Sequence, residues 1–294
     1  MKKVLVALDF GDSSLEALRQ ARTLAHGIGA TVAACHVLPA AHDLSGLFPA
    51  RVAAADIDVV AEDRQVSDAL KDRVRTKLGL ELSELFIERG APYAQLVRRA
   101  ESYAADFIVV GTHGRTGLAH LMLGSVAERV VEHTHCSVLV ARPPHRAGVV
   151  VAATDMSEPS LAAVAAGADA AKRSGARLVV VSALDWTAYA TDAVAGLIGA
   201  VAVVPPEELQ REVRDALRST LEQAMTRLGV VGEAQVLDGP AASAIVEYAE
   251  EVGAELVVVG THGRTGLKRI ALGSVAEQVI RGAGCSVLVA RGAQ

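Results

Sequence analysis

One glycine-studded stretch occurs twice in the chain: GTHGRTGLAHLMLGSVAERV begins at Gly111 and GTHGRTGLKRIALGSVAEQV begins at Gly260. The likeness runs further. VRRAESYAADFIVVGTHGRTGL at 97–118 matches VEYAEEVGAELVVVGTHGRTGL at 246–267, and CSVLVAR closes both copies. Towards the N-terminal side the match loosens, yet Asp9 still answers Asp155 and Ser14 answers Ser160. A period this long marks duplicated domains rather than a solenoid, whose units are shorter. The joint is RPPHRAG at 142–148, a proline-marked linker too short to let the halves drift far apart. The expected domains are 1–143 and 147–294.

Each half alternates short apolar runs with longer amphipathic ones. In the first half the spacing predicts strands at 4–8, 31–37, 82–87, 107–110 and 137–141. Ser13 or Ser14 is the expected cap of the first helix, which stops near Gly27 or Gly29. A charged helix follows over about 62–77, another runs from Pro92 towards Ala104, and Ser125 opens the last. Strands that alternate with helices imply a parallel sheet covered on both faces. Two doubly wound α/β domains are expected. Aromatic residues make up only 3% of the chain, so the cores must rely on Ala, Val and Leu.

A net charge of −5 argues against a protein that coats nucleic acid. The three cysteines form no CxxC pair, which excludes the usual redox and zinc motifs. The opening apolar run ends at Asp9, short for a secretory leader, and the apolar stretch at 193–204 is too short to span a bilayer. These features predict a soluble, cytoplasmic protein that engages neither membrane nor nucleic acid.

In open parallel sheets, ligands sit beyond the carboxyl ends of the strands, where the strand order reverses. Asp9 ends the first strand and Gly111 ends the fourth, so both face one crevice if those strands are neighbours. Gly111 and Gly114 allow a tight turn whose amides can meet an oxygen-rich ligand. Gly124 and Ser125 stand at a helix N-terminus, where unpaired N–H groups favour an anion. Ser125 can cap that helix or give its hydroxyl to a phosphate, and Arg115 adds a cation. Asp155, Gly260, Gly263, Arg264, Gly273 and Ser274 repeat the set. A phosphate ester suits the glycine end. Asp9 and Asp155 carry the wrong charge for phosphate and belong at the ligand's other end, accepting hydrogen bonds from a base or a ribose. There is no GxxxxGK[ST], so the loop is not a P-loop.

The pattern G-x2-G-x9-G-[ST], at Gly111, Gly114, Gly124 and Ser125 and again at Gly260, Gly263, Gly273 and Ser274, resembles the ATP-binding signature of universal stress proteins. The whole chain is similar to a tandem member of that family. The resemblance implies a five-stranded parallel sheet in the order 3-2-1-4-5 in each half. It implies ATP as ligand, often with Mg²⁺, the Asp and the second-strand backbone holding the nucleoside and the glycine loop holding the phosphates. The second-strand contact falls on Val37 and on Ala183, where Ala replaces the usual Val and adenine would pack more loosely.

Plainer readings stand beside these. The glycine loops can be turns only, Asp9 and Asp155 helix caps, and Arg115 and Arg264 solvated charges. His113 and His262 lie in the loops without the spacing of a triad or a metal site. HTHC at 133–136 has GAGC at 282–285 as its counterpart, which favours a helix end over a metal cluster. The segments 43–60 and 186–206 differ most between the halves and suit either a packed loop or a lid or partner patch.

The expected function is that of an ATP-binding regulatory protein with an unidentified protein partner and little or slow hydrolysis. The alternatives are a slow ATPase, an autophosphorylating protein modified at Ser125, Ser274 or a loop threonine, or a scaffold holding nucleotide structurally. Strand five should lie at a sheet edge, which proteins normally cover. Single-domain relatives in the family commonly cover it by dimerising through that strand, so the resemblance implies that the two halves pair as an intramolecular pseudo-dimer, with a homodimer as a further possibility.

Overall fold

A computed structural model of the chain describes residues 1–39, 59–112, 123–143, 148–186, 205–261 and 272–292. The chain divides into two compact units, Met1–Arg142 and Pro143–Gln294.

In the first unit the order is β1 (Lys3–Ala7), α1 (Asp12–Ile28), β2 (Thr31–Leu38), α2 (Val59–Leu78), β3 (Leu85–Arg89), α3 (Pro92–Tyr103), β4 (Phe107–Gly111), α4 (Ser125–His133) and β5 (Ser137–Ala141). All pairings are parallel, and the strands lie in the order β3-β2-β1-β4-β5. The second unit repeats the plan with β6 (Val149–Ala153), α5 (Glu158–Ser174), β7 (Arg177–Leu184), α6 (Glu207–Leu228), β8 (Glu233–Asp238), α7 (Ala241–Glu251), β9 (Leu256–Gly260), α8 (Ser274–Gly282) and β10 (Ser286–Ala290). Its order is β8-β7-β6-β9-β10, again all parallel. The doubly wound sheet expected from the sequence is therefore present in both halves.

The central strands are continuous apolar runs because helices cover both of their faces. Val4, Leu5 and Val6 of β1 and Ile108 and Val109 of β4 are fully buried. Helix α1 turns Ser14, Leu15, Ala17, Leu18, Ala21 and Ala25 to the sheet, the spacing of a single helical face. It stops at Gly29, whose left-handed backbone (φ 62°) lets its N–H reach back to the last turn. Gly27 stays inside the helix.

Two boundaries differ from expectation. Strand β3 begins at Leu85 rather than near residue 82, because its register follows β2, with Ala34 opposite Leu85 and Leu38 opposite Arg89. Helix α1 is capped by neither Ser13 nor Ser14. Its N-cap is Gly11, since Asp9 Oδ1 takes the Gly11 N–H at 2.7 Å and turns the chain earlier. Ser14 instead sits inside that turn, its hydroxyl 2.9 Å from the carbonyl oxygens of both Asp9 and Gly11.

Candidate functional site

The reversal of strand order falls between β1 and β4 in the first unit, and a cleft of about 440 Å³ opens at their carboxyl ends. Asp9, Val37, Gly111, Gly124 and Ser125 all line it. The second unit has a corresponding cleft of about 350 Å³, lined by Asp155, Ala183, Gly260, Gly273 and Ser274. Residues far apart in sequence thus meet as pairs of elements: the turn after the first strand, the end of the second, and both ends of the glycine loop. Gly114, Arg115, Gly263 and Arg264 lie outside the described residues, as do His113 and His262.

Equivalent backbone bonds fix the correspondence of the halves. Leu8 N–H donates to Cys35 O at 2.9 Å, and Thr154 N–H donates to Val181 O at 2.9 Å. Asp9 and Asp155 follow directly, and Val37 and Ala183 stand two residues beyond the acceptors. The loop bases are pinned alike, by Gly124 N–H on Thr112 O at 2.7 Å and Gly273 N–H on Thr261 O at 2.8 Å. These bonds hold Gly124 and Gly273 in extended conformations, so each becomes the N-cap of its helix. Ser125 and Ser274 are the first helical residues, not caps, and among the described residues no side-chain cap bond closes the N-terminus of α4 or α8. The helix N-termini therefore present their first amides to the clefts with the positive end of the macrodipole behind them.

Gly111 serves a purpose other than a flexible turn. A Cβ there would lie 2.4 Å from Ser13 Oγ and 2.7 Å from Ser13 O, so the glycine lets the start of α1 press against the end of β4. Gly260 does the same against Pro159 O and Ser160 Cα, both 3.0 Å from the added atom. The first glycine of each motif thus shapes the wall of its cleft.

The two faces of the sheet separate the remaining side chains. Thr31 meets Tyr103 of α3, and Phe86, the partner of Cys35, lies under Arg99 of α3. Alternation then turns Cys35 and Val37 towards α3 and His36 towards the opposite face. Buried His36 donates its Nδ1–H to Leu8 O at 2.7 Å, and its ring meets Phe10 edge-on at 5.7 Å. It supports the turn bearing Asp9 from below. Sequence reading missed it, although a lone imidazole within the apolar run VAACHVL was a usable signal.

Cys35 lies in the cleft wall with its thiol pushed up to about 12, chiefly by burial and then by the Glu88 carboxylate, with Arg99 opposing. Its unfolded value is near 9.0. The native thiol thus stays protonated while the unfolded one ionises, and Cys35 withdraws stability from the fold as pH rises from about 9 towards 12. Cys35, Cys136 and Cys285 are all buried. A thiol-disulfide exchange dye at pH 8 is expected to label none of the three in the native protein and all three in denaturant. Rapid native labelling of Cys35 would contradict the burial and the raised pKa.

The HTHC histidines diverge. His133 Nδ1 lies 2.9 Å from Arg129 O with its ring near Tyr93, whereas His135 faces Glu101 at 3.8 Å. Among the described residues no group of three His, Cys, Asp or Glu side chains is placed to hold a metal ion, and no helix is long and apolar enough to cross a membrane.

A sequence profile of the universal stress protein family matches residues 1–142 and again 148–291. The chain belongs to the universal stress protein family. Two copies of the family's domain stand in tandem. Universal stress protein MJ0531 of Methanocaldococcus jannaschii is 37% identical over 149 residues, 49% of this chain and 84% of that one. Universal stress protein Rv2005c of Mycobacterium tuberculosis is 33% identical over 198 residues, 65% of this chain but only 63% of the relative. A solved universal stress protein from Archaeoglobus fulgidus shares the fold with a TM-score of 0.62 at 18% identity, covering 98% of both chains. A functionally unknown Pseudomonas aeruginosa protein, PA1789, does so with a TM-score of 0.67 at 17% identity, over 99% of this chain and 92% of that one.

Proposed function

We propose that each domain of this universal stress protein binds one ATP in its cleft and that the protein acts as a nucleotide-responsive regulator rather than a rapid enzyme. The observation that carries this reading is the same in both domains: a strand-end carboxylate shares one cleft with an uncapped helix N-terminus. The two ends suit opposite parts of a nucleotide. Amides and macrodipole at Ser125 and Ser274 favour phosphate oxygens. The carboxylates of Asp9 and Asp155 would accept hydrogen bonds from ribose hydroxyls, and the second-strand ends at Val37 and Ala183 would lie against adenine. Gly114, Arg115, Gly263 and Arg264 would complete the phosphate end. Mg²⁺ would enter with the phosphates, which suits a described part of the cleft that offers one carboxylate and no metal-binding cluster.

The described cleft groups able to act as a base are assigned elsewhere, Asp9 and Asp155 to the sugar end and His36 to Leu8 O, so intact ATP is the species expected to be held. A regulatory role follows if occupancy changes what the protein presents to a partner. Calorimetric titration of ATP into nucleotide-stripped protein is expected to give two sites per chain, with ADP appearing slowly or not at all. No heat of binding at millimolar ATP, in protein shown to be folded, would overturn the reading.

A further inference from the structure

The two carboxylates that anchor the clefts are not equally available. Asp9 Oδ1 accepts a single hydrogen bond, from Gly11 N–H at 2.7 Å. Asp155 Oδ1 accepts two from the equivalent residue Ser157, one from its N–H at 3.0 Å and one from its Oγ–H at 2.5 Å. The intervening residue differs as well. Met156 adopts a left-handed backbone (φ 67°), a conformation that side-chain-bearing residues rarely take. It is held there by its N–H donating to Thr154 Oγ1 at 3.0 Å, and that hydroxyl is 2.7 Å from Ser160 Oγ. The Asp155 turn is thus closed on itself by hydroxyls that the Asp9 turn lacks, with Leu8 in place of Thr154 and Gly11 in place of Ser157.

We infer that Ser157 is a specificity-determining residue: its hydroxyl occupies Asp155 and makes the second cleft the weaker site for any ligand that must hydrogen-bond there through sugar hydroxyls. The inference rests on the nucleotide reading of the clefts. A ribose diol approaching Asp9 meets a carboxylate with most of its acceptor capacity open, whereas one approaching Asp155 finds Oδ1 already holding two hydrogen bonds and engages both oxygens fully only by displacing a short charge-assisted one. The displaced Ser157 hydroxyl then needs a new partner inside a half-buried turn.

The backbone makes the difference exchangeable. Gly11 (φ −83°, ψ 154°) and Ser157 (φ −70°, ψ 151°) have nearly the same extended conformation, so neither exchange strains the backbone. A Cβ added at Gly11 would lie 3.0 Å from Asp9 Oδ1, so the carboxylate must shift by a few tenths of an ångström, and a serine hydroxyl then comes within its reach. Gly11→Ser should therefore install in the first domain the block that Ser157→Gly removes from the second.

The test is titration of the full chain, wild type and each exchange, with ATP and with 2′,3′-dideoxy-ATP, alongside thermal unfolding to verify folding. Wild type should bind ATP in two phases whose affinities differ by roughly tenfold, the effect of one charge-assisted hydrogen bond. Ser157→Gly should tighten the weaker phase by about that factor and Gly11→Ser should weaken the tighter one, again by roughly tenfold. Neither exchange should shift dideoxy-ATP affinity comparably, because that probe has no hydroxyls to offer the carboxylate. Equal shifts for both probes, or two binding phases indifferent to both exchanges, would overturn the role of Ser157 while leaving nucleotide binding intact. Absence of ATP binding in every variant would instead overturn the nucleotide reading itself.

Discussion

Gly111→Ala is expected to destabilise the first domain by roughly 2–3 kcal/mol, towards the upper end of what overpacking costs. The added methyl would meet Ser13 Oγ at 2.4 Å, Ser13 O at 2.7 Å and Ser13 C at 2.8 Å. Two of those three atoms are backbone at the start of α1, so relief requires the helix to back away from β4. Gly260→Ala faces a milder conflict, with its closest atoms at 3.0 Å, and should cost about 1 kcal/mol. For domains of this size those values correspond to a drop in Tm of roughly 4–12 °C for the first variant and about 2–4 °C for the second. Scanning calorimetry would measure both. An unchanged melting profile for Gly111→Ala would show that the start of α1 is not tightly seated on β4. A cleft wall built on that contact would then be wrong.

Removing both strand-end carboxylates should have the largest effect on binding. Asp9→Asn with Asp155→Asn keeps an oxygen that can accept the Gly11 and Ser157 amides, so the turns should survive while the charge is lost. Adenosine affinity is expected to fall roughly tenfold or more at each site, the difference between a charge-assisted hydrogen bond and a neutral one. Inorganic pyrophosphate, which lacks a sugar, should bind as well as before or slightly better, because a negative charge has left the cleft. Equilibrium titration with the two probes separates the ends of the ligand. Unchanged adenosine binding together with altered pyrophosphate binding would mean that the proposed orientation is reversed.

Much of this site was legible because the chain was written twice. Asp9 and Asp155 stood out as a matched pair of strand-end acids, and the matched bonds from Leu8 to Cys35 and from Thr154 to Val181 place them equivalently. The parallel, doubly wound sheet followed from the alternation of buried runs and amphipathic helices, since each period reports which face a side chain must bury, while the strand order came from the family resemblance. What escaped was set by short polar bonds that leave no period. Asp9 takes the Gly11 amide two residues on, which shifts the helix cap away from the serines that the pattern favoured. The same turn in the second domain recruits Ser157 and Thr154, and nothing in the composition of DMS against DFG announces that difference. The need for glycine at 111 was visible, but its cause was not. A close approach between two elements is a tertiary fact that the residue type alone leaves open between turn, ligand contact and packing.

Strand β3 shows the limit on boundaries. Each of its five residues is half-buried, so the strand lacks the sharp inside-outside contrast that fixes an end in sequence. Its extent is decided by pairing with β2 and by Arg89, which reaches Glu62 and Asp63 of α2.

The central claim is that both clefts take the same nucleotide in the same orientation. A crystal structure of the full chain with a non-hydrolysable ATP analogue tests it most directly. The account predicts density in both clefts, with ribose hydroxyls against Asp9 and Asp155 and phosphates at the N-termini of α4 and α8 beside Ser125 and Ser274. Nucleotide bound away from the clefts, or lying in them with phosphates towards the aspartates, would contradict it.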